Sequence, residues 1–245
     1  MAASSDQRHR MRVAAVIFDL DGVIVDSEIW WHEERVAWAT GLGRSWSAED
    51  SQAVMGANSR AWARIMRERK GLPPEQDAAI EADIVGRVVQ RYDAGVPEIV
   101  GAVDAVRRIA ASWPVAIASS AHRDVISAAL RATGLEAIVP IVISSDDVEH
   151  GKPAPDVYLA AARALGVGPE ECLVVEDSIN GVKAGLAAGM RVVLVPNASV
   201  PPAPRAADLA TYVLGRLADL DPGPLPITAT PGGVTTARAT RRFRR

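Results

Sequence analysis

Cysteine is almost absent from this chain: one residue, Cys172, stands among 245. A single thiol excludes an intrachain disulfide framework and fits a reducing compartment. Flanked by Glu171 and the run Leu173, Val174, Val175, it reads as a core filler rather than a nucleophile or ligand. Long apolar runs are missing as well. No stretch approaches membrane-spanning length, and the opening MAASSDQRHRMR lacks the apolar segment of a secretory leader. Lysine is scarce, with three (Lys70, Lys152, Lys183) against twenty-four arginines. These absences predict a cytoplasmic protein with no membrane partner.

The chain is 49% hydrophobic and 23% charged, enough for one large domain or a core plus a smaller insert. Its formal net charge is −3, unevenly spread. Residues 222 to 245 carry Arg238, Arg241, Arg242, Arg244 and Arg245 and no acid, so the chain without them stands at −8. The tail is rich in Pro, Gly and Thr and has no periodicity, so it is expected to be a disordered, solvated extension rather than a docking peptide. The acidic body argues against nucleic acid as a partner. A monomer or weak homodimer is expected.

The stretch VAAVIFDLDGVIVDS, residues 13 to 27, is an apolar run that stops at Asp19 and Asp21, followed at once by Gly22. Such a run reads as a strand buried on both faces. Five further runs have strand character: VAIASS (115 to 120), IVISS (141 to 145), CLVVED (172 to 177), RVVLVP (191 to 196) and a weaker YVL (212 to 214). Between them, 101 to 111, 123 to 133, 155 to 165 and 180 to 188 repeat apolar residues at helical spacing. Alternating strands and helices predict an α/β fold, a doubly wound parallel sheet with helices on both faces.

Residues 27 to 94 break the rhythm with helix patterns at 28 to 40, 48 to 54, 59 to 70 and 75 to 93. Ser27 and Ser47 suit N-caps and Pro74 a first helical turn. Five of the six tryptophans (Trp30, Trp31, Trp38, Trp46, Trp62) fall here and are expected to form a small core. The predicted organisation is an N-terminal extension (1 to 12), a core (13 to 26 and 95 to 220), a helical cap inserted at 27 to 94 and the basic tail (221 to 245). In open α/β sheets, ligands sit outside the carboxyl ends of the strands. Those ends carry Asp19 and Asp21, then Ser119 and Ser120, then Lys152 in HGKPAPD, then Glu176 and Asp177. Two carboxylates one residue apart repel each other unless a cation joins them.

The segments DLDGV, the Ser119 strand end, KPAPD and VVEDSINGVKAG together resemble the four motifs of the haloacid dehalogenase superfamily. The helical insert after the first motif is similar to the branch of small-molecule phosphatases and β-phosphoglucomutases. The resemblance spans roughly residues 13 to 220 and implies a Rossmann-like core with an inserted cap. It implies Asp19 as nucleophile, because a carboxylate is already ionised at neutral pH and can form an aspartyl-phosphate. Asp21 becomes general acid toward the leaving oxygen, then base for water, which requires its acidity to be weakened by burial or neighbouring carboxylates.

Asp19, Asp177, the Asp21 carbonyl and Glu176, the last either as ligand or orienting a bound water, then form an oxygen-only site suited to Mg²⁺. Ser119, and secondarily Ser120, would donate to a phosphoryl oxygen, although Ser119 also fits a simple N-cap. Lys152 would pair with Asp19 and the phosphoryl group as a point charge; Lys183 reads as surface. The segment GANSR resembles the family's substrate-binding cap segment, which makes Arg60 a contact for a distal group. Where the family often has a histidine, twelve residues after the nucleophile, stands Trp31, with His32 next door as the candidate substrate contact.

The expected activity is Mg²⁺-dependent hydrolysis of a small phosphorylated metabolite, a sugar or polyol phosphate. A phosphoglucomutase-like transferase is the alternative, disfavoured because residues 75 to 97 contain no lysine to hold a second phosphate. A dehalogenase would not need Asp21 as proton donor to an alcoholate. A phosphoacceptor signalling domain would be half this size and lack the insert.

Overall fold

The computed structural model describes residues 12–54 and 57–223. The arginine-rich tail and the N-terminal extension up to residue 11 lie outside the described residues. Strands β1 (Ala15–Phe18), β2 (Val115–Ser119), β3 (Ile141–Ser144), β4 (Cys172–Glu176), β5 (Arg191–Leu194) and β6 (Tyr212–Val213) form one sheet in the order β3-β2-β1-β4-β5-β6. Every neighbouring pair is parallel. The chain winds outward from β1 to β3, then returns to the far side of β1 to lay down β4. The switch point therefore falls between β1 and β4, the place where sheets of this kind bind their ligands.

Alternation along each strand divides the core in two. Val16, Phe18, Ile117, Leu173, Val175 and Val193 face one side, and Ala15, Ile17, Ala116, Ala118, Val174 and Val192 the other. Helices α5 (Ala102–Ala110) and α6 (Arg123–Thr133) cover the first face; α7 (Asp156–Leu165), α8 (Ile179–Ala187) and α9 (Arg205–Leu209) cover the second. Cys172 is fully buried on that second face, as its apolar flanks predicted.

Between β1 and β2 the chain builds α1 (Glu28–Gly41), α2 (Ala48–Val54), α3 (Ser59–Arg69) and α4 (Asp77–Ala94). Trp31, Trp38 and Trp62 are buried in their shared core with Met66, Ile84 and Val88. Ser47 and Asp50 cap α2 reciprocally: Asp50 N–H donates to Ser47 Oγ, and Ser47 N–H to Asp50 Oδ2. Pro74 opens a first helical turn as expected, a 3₁₀ turn (Pro74–Gln76) that runs into α4. One sequence expectation changes here: Ser27, although it precedes α1, makes no side-chain cap. Its backbone is helical (φ −88°, ψ −6°) where a capping residue is ordinarily extended, and its hydroxyl donates to Asp21 Oδ1 instead. The insert rests on the sheet domain through α4 against α6 and through Ser59 N–H, which donates to Asp146 Oδ1 at 3.2 Å. Among the described residues no helix is long and apolar enough to cross a membrane.

Candidate active site

Backbone pairing brings the acidic strand ends together. Asp19 N–H donates to Val175 O at 2.9 Å, locking the end of β1 to that of β4. The next turn is tight, with Gly22 at φ +82°, and a Cβ there would fall 2.0 Å from Asp177 Oδ2. A glycine is thus required both for the left-handed backbone and for the close approach of Asp177. Asp19, Glu176 and Asp177 each place a carboxylate oxygen within 4.8 Å of the others.

One cation is built into this group. Lys152 Nζ donates to Asp19 Oδ1 at 2.8 Å, to Glu176 Oε1 at 2.7 Å and to Ala118 O at 3.1 Å, which uses all three of its protons. Burial alone would push the lysine pKa down, but the Asp19 and Glu176 carboxylates more than reverse this and hold it charged. Glu176 is fully buried. Its Oε1 also accepts from Tyr158 OH at 2.8 Å, and its Oε2 accepts from Asp177 N–H, Ser178 N–H and Ser178 Oγ, each at 3.0 Å. Burial opposes its ionisation, yet Lys152 and these donors hold its pKa below the ordinary value. The tucked carboxylate needs Gly181 opposite, where a Cβ would lie 1.6 Å from Oε1.

For the remaining carboxyls burial outweighs such compensation. Burial, with Glu176 adding to it and Lys152 opposing, pushes Asp19 up to about 7. Burial together with Glu176 and Asp19 pushes Asp177 up to about 9. There is more negative charge here than Lys152 can neutralise, and the free donors are all carboxylate oxygens. That donor chemistry fits a hard divalent ion. Asp21 is raised by burial too, with the hydrogen bond from Ser27 Oγ working against the rise. An acid weakened by burial and held by one hydroxyl donor suits proton exchange with a leaving oxygen.

The other expected contacts fare unequally. Ser119 is buried and faces Asp21; its Oγ accepts from Ala121 N–H at 3.0 Å. It does not cap α6, since that role falls to His122, whose Nδ1 accepts from Asp124 N–H. Ser120 follows, half-buried. His32 is exposed and its Nδ1 lies 3.2 Å from Ser51 Oγ, a contact within the insert. Arg60 is exposed and lines a cavity of about 660 Å³ between α4 and α6, whose walls include none of the strand-end residues above. The spacing of the motifs carried no sign of Tyr158 as the partner of Glu176.

Residues 13–189 match the haloacid dehalogenase-like hydrolases. The chain belongs to this family. It is 33% identical over 187 residues to fructose-1-phosphate phosphatase YqaB of Escherichia coli, covering 74% of this chain and 96% of that protein. To hexitol phosphatase A of the same organism it is 32% identical over 208 residues, covering 84% and 94%. The crystal structure of CbbY from Rhodobacter sphaeroides in complex with phosphate superposes with a TM-score of 0.72 at 26% identity, covering 84% of this chain and 96% of that one. The parallel sheet with a helical insert after β1 is therefore the fold of this hydrolase family.

Proposed function

We propose that this protein is a Mg²⁺-dependent phosphatase acting on a sugar or polyol phosphate through an aspartyl-phosphate on Asp19. The observation that carries the reading is the chain Asp19–Lys152–Glu176, held at 2.8 and 2.7 Å at the switch point of the sheet. Asp19, Asp177 and the Asp21 carbonyl would hold the ion. When bound, the ion would offset the excess carboxylate charge and polarise the phosphoryl group. Glu176 is assigned to fixing Lys152 instead of binding the ion, because both its oxygens are already engaged by protein donors.

Asp19 attacks phosphorus with a carboxylate oxygen while the ester bond to the leaving alcohol breaks. Asp21 passes its proton to the departing oxygen, and afterwards takes one from the water that attacks the acyl-phosphate. Inorganic phosphate leaves and Asp19 is regenerated. Lys152 and the Ser119 hydroxyl stabilise the negative oxygens of the transferring group. Helices α1 to α4 serve as a cap that limits water near the intermediate.

The substrate class rests on the relatives that carry fructose 1-phosphate and hexitol phosphatase names. Phosphate release from a panel of sugar, polyol and aryl phosphates, with and without Mg²⁺, tests the reading. Release from at least one sugar or polyol phosphate, lost in Asp19→Asn, is the expected result. Inertness toward the whole panel would overturn it, and interconversion of glucose phosphates in the presence of a bisphosphate activator would favour the mutase instead.

A further inference from the structure

A second group of ligand atoms lies where the insert meets the sheet domain. Glu81 comes from α4, His122 from the start of α6 and Asp146 from the turn after β3. One ligand atom from each lies within 4.8 Å of the other two, and His122 Nε2 is 3.9 Å from Glu81 Oε1. None of the three belongs to the Asp19–Lys152–Glu176 network.

Two buried polar groups beside this cluster lack partners. Asp146 Oδ1 accepts from Ser59 N–H, but its Oδ2 is buried without any hydrogen-bond partner among the described residues. Ser59 itself is 0% exposed and its hydroxyl is equally unpartnered. A buried carboxylate oxygen left without a donor is an unusual cost in a native protein and calls for a ligand. The surrounding charges are mixed: Arg60 acts on Glu81, and Asp124 and Arg131 line the adjoining cavity.

We propose that Glu81, His122 and Asp146 form a divalent transition-metal site that clasps the helical insert to the sheet domain. One imidazole nitrogen and two carboxylates suit a borderline ion such as Zn²⁺, in contrast to the oxygen-only set around Asp19. His122 reaches the site but must change tautomer to ligate, because its Nδ1 accepts from the Asp124 amide and the ring proton then sits on Nε2. Its Nε2 faces Glu81, while its Nδ1 lies 3.6 Å from the Asp124 carboxylate. With an ion on Nε2, Nδ1 carries the proton and turns from the Asp124 amide to the Asp124 carboxylate, the outer partner that metal-bound histidines ordinarily keep. The cavity of about 660 Å³ alongside leaves room for a water to complete the coordination. Arg60 is the cation that opposes binding. An ion shared between the two parts holds them together and slows any opening that turnover requires.

The test uses the full chain in excess Mg²⁺, so that the oxygen-only site does not compete for the probe. Zn²⁺ is titrated by calorimetry and Co²⁺ by its visible absorption. One equivalent of Zn²⁺ should bind with a rise in Tm, and Co²⁺ should show the intense bands of a low-coordinate nitrogen-containing site. Glu81→Gln and Asp146→Asn should each weaken Zn²⁺ at least tenfold, Arg60→Gln should strengthen it, and Asp177→Asn should leave it unchanged. Absence of Zn²⁺ binding, or binding removed by Asp177→Asn and untouched by Glu81→Gln, would overturn the proposal. Neither outcome depends on which phosphate ester the protein cleaves, so the metal site and the phosphatase reading stand or fall separately.

Discussion

Gly22 and Asp177 touch across the switch point of the sheet, with no room between them for even a methyl group. The loop carrying the proposed nucleophile and the loop carrying a proposed ion ligand therefore fix each other's position.

Gly22→Ala should disable the site while leaving the fold in place. A Cβ at 2.0 Å from Asp177 Oδ2 forces one loop to shift, and the φ of +82° adds strain of about 1–3 kcal/mol. Because small misplacements of reacting groups are expensive, kcat/KM should drop on the order of 100-fold. Circular dichroism should stay native with a lowered Tm; unchanged kcat/KM would refute the close-approach argument.

Glu176→Gln and Tyr158→Phe should separate the two functions of the buried carboxylate. Removing its charge leaves the buried Lys152 with Asp19 as its remaining carboxylate partner, and breaking a buried pair costs about 3–5 kcal/mol. Deleting the phenol hydroxyl removes one hydrogen bond, worth about 1 kcal/mol. Thermal melts should rank the variants in that order, with kcat falling much further in Glu176→Gln. Equal effects would mean that the carboxylate's charge is not what matters.

Acid should loosen the insert through Asp50. Its carboxylate, buried on α2, accepts from Lys70 Nζ at 2.6 Å and from Arg69 Nε. Burial works against ionisation, but Lys70, Ser47 and Arg69 outweigh it and hold the pKa well below the ordinary carboxylate value. A depressed acid contributes its full stability above the unfolded value, about 3.9, and loses it as pH falls through the lower folded value. Asp50→Asn should cost about 3–5 kcal/mol at pH 7, by stranding the buried Lys70, and should flatten the acid limb. Denaturant titrations at pH 7 and along an acid series measure both effects.

Much of this architecture was legible because the strands are buried on both faces and end abruptly in polar residues. The runs ending at Asp19, Ser119 and Asp177 each became a strand within one or two residues of expectation, and the four insert helices followed their apolar spacing. Lys152 stood out in the sequence because lysine is scarce, and it occupies the centre of the charge network. What escaped were contacts made across the fold. Tyr158 meets Glu176 only because α7 lies over β1, β2 and β3 with its tyrosine reaching the end of β4, and nothing in the spacing of KPAPDVY announces it. Ser27 suits a helix cap by its local sequence, whereas the folded turn offers its hydroxyl a carboxylate. The five residues of α9 are too few to display a period. Arg60 and His32 carried the right chemistry for substrate contact, yet one sits on a cavity apart from the strand-end residues and the other bonds to a neighbouring helix.

The outgoing and returning threads of the insert cross the domain boundary side by side. Asp26 N–H donates to Pro97 O at 2.7 Å, Ile99 N–H to Ile24 O at 3.0 Å, and Asn197, from the loop after β5, ties down the Asp26 carboxylate. Such a paired attachment works like a door mounted on one short pin. Helices hung from it can swap side chains, lengthen or reorient in the course of evolution while the pin stays where it is. On the proposed function, selectivity toward new metabolites would then be acquired in the insert without retuning the carboxylate and lysine cluster at the strand ends.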